Sequence, residues 1–274
     1  MKVRVSPTLG GGFERTFEEA WGLETYNPLK DKDEPTVFTG CYGLPDFMAI
    51  RGHKGKKYVW WAGSDIRHLN NGYWLDEKGY IRLPSTGIAK YLNTYCENWC
   101  ENKAEYKLLK YLGIEAKICP SFLGDVNKFK VTYKHSDKVK LYASVSGDDF
   151  ELYGWYKIIE LAKKYIDVEF HLYGNKIEFE ADYPKNVIIH GRVPIEQMNE
   201  ETSKMQGAIR LIEMEGFSEV ICKSLLMGQY PISEIPYYGC LTVKDIDKIQ
   251  HLEEPNLAGR EHYIKELNNY SWVK

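Results

Sequence analysis

The chain has 274 residues, 43% hydrophobic and 27% charged, with no low-complexity tract, so it can bury one large core or two ordinary ones and is not a disordered polymer. Its 36 basic and 39 acidic residues leave a net charge of -3, which excludes the global positive field that draws proteins onto nucleic acid. The opening residues "MKVRVSPTLGGG" lack the apolar stretch of a signal peptide and no later run is long enough to span a bilayer, so a cytoplasmic protein is expected.

In chain order, Met1 to Ser6 reads as a strand running into a glycine loop, Gly10 to Gly12, and "FERTFEEAW" as a helix. A charged turn from Asn27 to Pro35 follows. "TVFTGCYG" and "KYVWWAG" are apolar, β-branched or aromatic, and read as buried strands separated by the helical "LPDFMAI" and the turn "RGHKGKK". "NKAEYKLLKYLGI" places Ala104, Leu108, Leu109 and Leu112 on one helical face, stops at Gly113 and leads into the strand "EAKIC". This is the grammar of strand, helix and strand in a parallel sheet.

Pro120 to Asp137 carries no period and marks a domain boundary. The alternation then restarts. "KVKLYASVSG" reads as a strand with a small-residue loop, and Trp155, Ile158, Ile159, Ala162, Tyr165 and Ile166 mark one face of the next helix. "VEFHLYG", "NVIIHG", "GAIRLI" and "YPISEI" are further strands. "PIEQMNEETSK" is a helix opened by proline, and "SEVICKSLLMG" one capped by Ser218 and closed by Gly228. Two terminal helices are expected in "TVKDIDKIQHLEE" and "REHYIKELNNYSW". Six cysteines, at 41, 96, 100, 119, 222 and 240, form no paired knuckle and read as buried free thiols.

The ordered series "LYASVSG", "VEFHLYG", "NVIIHGRVP", "GAIRLIEMEGFSEV" and "SLLMGQYPI" resembles the C-terminal domain of GT-B glycosyltransferases, in particular the retaining family 4 (group 1). It covers roughly Lys138 to Ile235. The resemblance implies an α/β chain of two Rossmann-like domains whose parallel sheets face a central cleft. The expected division is 1–125 for an acceptor-side domain, 126–254 for the nucleotide-sugar-binding domain, and 255–274 for a C-terminal helix packing back toward the first. The implied reaction is retaining, metal-independent transfer of a hexose from a nucleotide diphosphate sugar, without a cofactor, to an unidentified hydroxyl on a glycan, lipid or protein.

The same resemblance implies roles for individual residues. Glu215 would bind hydroxyls of the transferred sugar, as an ionised carboxylate does well. Gly216, Phe217, Ser218 and Glu219 would offer amides at a helix start to sugar and phosphates, against the plainer reading of a serine-capped helix. Arg192 and Val193 would lie against the base. Ser144, Ser146 and Gly147 would form a phosphate-proximal loop, where the family's arginine and lysine are missing; Lys157 is the nearest cation and reads as the polar face of a helix. Arg210, a charge inside a strand, either binds phosphate or pairs with Glu213 or Glu215. Lys223 stands where the family places a second glutamate that holds the ribose, and a lysine cannot accept those hydroxyl protons.

In the first half, Gly10, Gly11 and Gly12 would let backbone approach a phosphate or acceptor, and Asp65 of "GSD" is either an acceptor-side acid or base facing the cleft or a helix N-cap. The D-x-D runs at 31–33 and 245–247 read as solvated faces and imply no metal. So do the lysines of "HKGKK", whose alternative is peripheral contact with an anionic membrane. Two competing functions share this fold: a nucleotide-sugar epimerase or hydrolase, and a non-catalytic binding subunit favoured by Lys223.

Overall fold

The computed structural model describes residues 1–10, 13–70, 85–145, 151–174 and 183–273. Its strands pair in parallel throughout and form two sheets, one of six strands and one of five. The chain divides into two compact units, Met1–Asp125 with Met214–Phe217 and Glu266–Lys274, and Val126–Glu213 with Ser218–Lys265.

In the first unit the chain runs β1 (Lys2–Val5), α1 (Phe13–Trp21), β2 (Glu24–Thr25), β3 (Thr36–Thr39), α2 (Leu44–Gly52), β4 (Lys57–Trp60), α3 (Ser64–Asn70), α4 (Ser85–Tyr95), β5 (Glu97–Cys100), α5 (Lys103–Tyr111) and β6 (Ala116–Ile118). The sheet order is β2-β1-β3-β4-β5-β6. Helices on both faces explain why the central strands β3 and β4 are buried along nearly their whole length, whereas β1 alternates. Val3, Val37, Tyr58 and Trp60 meet Phe17 and Trp21 on one face. Phe38 and Val59 meet Phe47, Ile50, Ile66 and Leu92 on the other. His53, within the basic turn, is buried beside Phe38 and Tyr26, whereas Lys54 and Lys56 are exposed.

The segment after α5 and the chain's last residues complete this core. Tyr270 is fully buried, donates its hydroxyl to the Cys119 carbonyl at 2.6 Å and accepts from Trp60 Nε1 at 2.8 Å. Tyr270→Phe leaves both partners buried and unmatched and is expected to cost about 1–3 kcal/mol. Urea unfolding followed by tryptophan fluorescence measures it; a loss under about 0.5 kcal/mol would mean that neither bond matters to stability.

The second unit contains β7 (Lys140–Val145), α6 (Trp155–Lys164), β8 (Glu169–Gly174), β9 (Val187–Gly191), α7 (Ile195–Thr202), β10 (Gly207–Arg210), α8 (Glu219–Leu226), β11 (Ile232–Ser233), α9 (Ile246–Ile249) and α10 (Leu257–Glu266). Its sheet order is β11-β10-β7-β8-β9. Period-two alternation sends Leu141, Ala143 and Val145 toward α6 and α9, where Trp155, Ile158, Ala162 and Ile246 close the core. Tyr142 and Ser144 point the other way.

Behind Tyr142 lies Gln229, fully buried and satisfied at every polar atom. It accepts from Tyr142 and Ser224, each at 3.0 Å, and donates to the Thr202 and Met205 carbonyls at 2.7 and 2.9 Å. This one amide ties β7, the end of α7 and the end of α8 together. Gly207 allows β10 to approach the chain entering β11: a Cβ there would stand 2.2 Å from the Tyr230 carbonyl oxygen.

Two local expectations are corrected. Ile166 does not continue the buried face of α6, because the helix ends at Lys164 and Ile166 is 73% exposed. Ser218 occupies the N-cap position of α8, but its side chain makes no capping bond. All six cysteines are free thiols; Cys96 and Cys240 are only partly buried. Among the described residues no helix is long and apolar enough to cross a membrane.

Candidate functional site

In an open parallel sheet, ligands bind at the carboxyl ends of the strands where the strand order reverses direction. In the second unit that point lies between β7 and β10. Arg210, the last residue of β10, bridges it. Its guanidinium donates to the Ser144 carbonyl of β7 at 2.8 Å and lies over the Tyr153 ring, 4.2 Å from the centroid. A carbonyl and an aromatic face are thus among the contacts of this charged side chain. Lys157 is held by Glu234 at 2.7 and 2.8 Å, as a polar-face lysine would be.

Beside Arg210's partner Ser144 is a cavity of about 100 Å³, lined by residues of β7, α7 and α8. Tyr142 and Ser144 form its floor, Asn199 and Thr202 one wall, and Glu219 and Lys223 the other. Lys223 Nζ contacts Glu219 Oε1 at 2.7 Å, one helical turn away, and its side chain is 13% exposed against 67% for Glu219. The lysine is therefore the more buried member of the pair and the glutamate the more exposed one. Because Ser218 makes no capping bond, its hydroxyl does not occupy the first amides of α8. Arg192 is exposed and Val193 half-buried in the turn between β9 and α7, just ahead of the cavity wall that starts at Ile195. The structure thus gathers Ser144, Arg210, Glu219 and Lys223 at one strand reversal. Gly11, Gly12, Ser146 and Gly147 lie outside the described residues.

Glu215, Gly216 and Phe217 belong to the first unit. Their backbone lies against the junctions that follow β4 and β5. Asn102 caps α5 by accepting from the Ala104 and Glu105 amides at 2.9 and 3.0 Å, and its Nδ2 donates to the Glu215 carbonyl at 2.7 Å. Glu101 accepts the Phe217 amide on Oε2 at 2.8 Å. Its Oε1 accepts the Ser121 amide at 3.2 Å and the Ser121 hydroxyl.

Asp65 is not an open acid or base. It is fully buried, accepting from the amides of Ala62 at 3.1 Å and Ile66 at 2.9 Å on Oδ1 and of Cys41 at 2.9 Å on Oδ2. It staples the loop after β3 to the start of α3. Burial pushes its carboxyl up to about 7 against the opposing pull of these amides, and likewise pushes Glu101 up to about 8. Burial also raises the neighbouring Glu105, which accepts the Glu101 amide at 2.7 Å.

Glu101 and Glu105 carry no sequence signal beyond their spacing of four, which on a helix usually means an exposed acidic stripe. The one hint is "CENK", polar residues placed directly after a strand whose carboxyl end must face something. The first D-x-D sits in the charged turn, where Asp31 accepts the Asn27 amide at 2.7 Å. In the second, Asp245 closes a capping box with Thr242.

No protein-family model matches the sequence, and no curated protein matches it. Solved structures do. Over 88% of this chain and 53% of its own length, TarM superposes with a TM-score of 0.58 at 15% identity. Sucrose-phosphate synthase from Thermosynechococcus elongatus gives 0.61 at 10% identity, over 94% of this chain and 73% of its own. The lipopolysaccharide outer core galactosyltransferase WaaB gives 0.57 at 9%, over 95% and 75%. The chain spans about half the length of TarM. These likenesses establish the fold, which is GT-B: mixed α/β with two parallel sheets.

Proposed function

We propose that the chain is a retaining glycosyltransferase that moves a hexose from a nucleotide diphosphate donor to a hydroxyl acceptor, with protein groups meeting the diphosphate. The bond from the anomeric carbon to the diphosphate oxygen breaks, a bond to the acceptor oxygen forms on the same face, and the acceptor proton leaves with the diphosphate. The observation that carries this reading is the convergence of the Arg210 guanidinium, the start of α8 and the Glu219–Lys223 cavity at the strand reversal of the second sheet. A positive side chain and a helix N-terminus are what a leaving diphosphate requires. The cavity is smaller than the roughly 300–1,000 Å³ that holds a whole drug-sized ligand, so it suits one ring of the donor. Arg192 and Val193 would border that ring, and Glu215 would bind the transferred sugar. Acceptor binding is assigned to the first unit.

Staphylococcus aureus TarM has been crystallised with UDP, which makes uridine diphosphate the first ligand to test. Calorimetry with uridine, guanosine and adenosine diphosphates, then with their sugars, decides the matter; no binding of any of them sinks the proposal. Arg210→Met is expected to weaken nucleoside diphosphate binding by about ten- to a hundredfold while leaving the free nucleoside unaffected. The pairing of Lys223 with Glu219 favours a second reading, a binding subunit without catalysis. Lys223→Glu separates the two: a sharp rise in nucleotide affinity marks a degraded donor site, and loss of turnover marks a lysine with its own role.

A further inference from the structure

Met214–Phe217 is flanked on both sides by residues of the second unit yet packs as part of the first. Its backbone is gripped from two directions. Asn102 holds the Glu215 carbonyl, and Glu101 holds the Phe217 amide. Between those bonds the fit leaves no room for a side chain. A Cβ on Gly216 would stand 2.0 Å from Glu101 Oε2, and one on Gly63 would stand 2.7 Å from the Gly216 nitrogen and 2.9 Å from the Glu215 carbonyl carbon. Glycine at 216 is therefore explained by the carboxyl it touches.

Glu101 is itself immobilised. It is 6% exposed, and Ser121 occupies its other oxygen through both amide and hydroxyl. One rigid carboxyl thus spans two distant chain segments, 116 residues from Phe217 and 20 from Ser121. A buried carboxyl is costly, and a hydrophobic residue would fill this space without that cost but would leave two buried amides unmatched.

We propose that Glu101 is a positioning residue for the sugar-binding Glu215: it seats the backbone of residues 215–217 and so fixes where the Glu215 carboxylate points. This rests on the reading of Glu215 given above. Glu101 acts through the Phe217 amide and the close approach of Gly216, not through substrate. Glutamine keeps the bond this proposal rests on, its carbonyl accepting from Phe217 while its NH2 donates to the Ser121 hydroxyl, and loses only the bond from the Ser121 amide.

The test combines hydrogen exchange of residues 211–220 with steady-state diphosphate release, in the full chain and in Glu101→Ala, Glu101→Gln and Gly216→Ala. Glu101→Ala is expected to speed exchange at Phe217 by at least about tenfold and to lower kcat by about tenfold or more with donor KM within about threefold. Glu101→Gln restores both at pH 7. Gly216→Ala, which forces the two groups apart without altering Glu101, gives the same kcat-selective loss, and it carries the test should Glu101→Ala not fold. The proposal is overturned if Phe217 exchange is unchanged in Glu101→Ala, or if kcat and KM deteriorate together and glutamine rescues neither. Should the unaltered protein bind and turn over no nucleotide sugar, the functional reading falls, while the exchange arm still decides whether Glu101 seats this segment.

Discussion

Glu215→Ala is expected to lower kcat by about a hundred- to a thousandfold, ~3–4 kcal/mol of transition-state stabilisation, with donor KM changed less than about threefold. In the proposed transfer the anomeric carbon gains positive charge as the diphosphate departs, and a carboxylate bound to the sugar's hydroxyls is worth more in that state than in the ground state. Position matters as much as charge. The Glu215 carbonyl is held by Asn102 at 2.7 Å and the amide two residues later by Glu101 at 2.8 Å, so the side chain starts from a backbone that cannot drift. Glu215→Gln keeps the shape and one acceptor and should lose about tenfold less. The side chain is only half-buried, so both variants should unfold within a degree or two of the unaltered protein. A kcat within threefold in Glu215→Ala would remove this residue from the chemistry.

How much of this was legible in the sequence depends on whether a feature is local. β3 and β4 announce themselves because both faces of a parallel sheet are covered, leaving "TVFT" and "KYVW" rich in β-branched and aromatic residues. β5 does not, since "ENWC" carries two polar residues in four. Asn98 is buried there because tertiary neighbours satisfy it: Trp61 Nε1 donates to it at 3.2 Å and the Leu92 carbonyl accepts from it at 3.1 Å. The Glu219–Lys223 pair was readable as an i,i+4 contact, whereas the cavity it walls needs α7 and β7 as well. The Asp65 ambiguity could not be resolved from "GSD" alone. What decides it is the Cys41 amide, 24 residues earlier in the chain. Glu101 and Glu105 show the same limit in reverse, where a pattern that normally signals an exposed face is buried by a segment more than a hundred residues away.

That burial also sets how the first unit responds to pH. Asp65 and Glu101 are pushed up to about 7 and about 8 by loss of water, Glu101 further by the nearby Glu215, and Glu105 is raised as well, with its Oε1 lacking a hydrogen-bond partner among the described residues. A carboxyl whose pKa is higher folded than unfolded binds more protons in the native state. Its contribution is complete below the unfolded value near 4 and is lost as pH rises through the folded value. Stability should therefore fall by on the order of 3 kcal/mol between about pH 6 and 8. Other groups bound this window. Burial lowers the pKa of His53, which opposes the trend below about pH 6.5, and the raised pKa of the buried cysteines adds to it only above about pH 8.5. Of the seven tryptophans only Trp155 lies outside the first unit's ranges, so tryptophan fluorescence in urea reports this unit selectively. Glu101→Gln, which like the protonated acid carries no charge, should flatten the slope by roughly half. A flat profile in the unaltered chain, or an unchanged slope in Glu101→Gln, would mean that these carboxyls titrate near their ordinary values and that water reaches them in the native state.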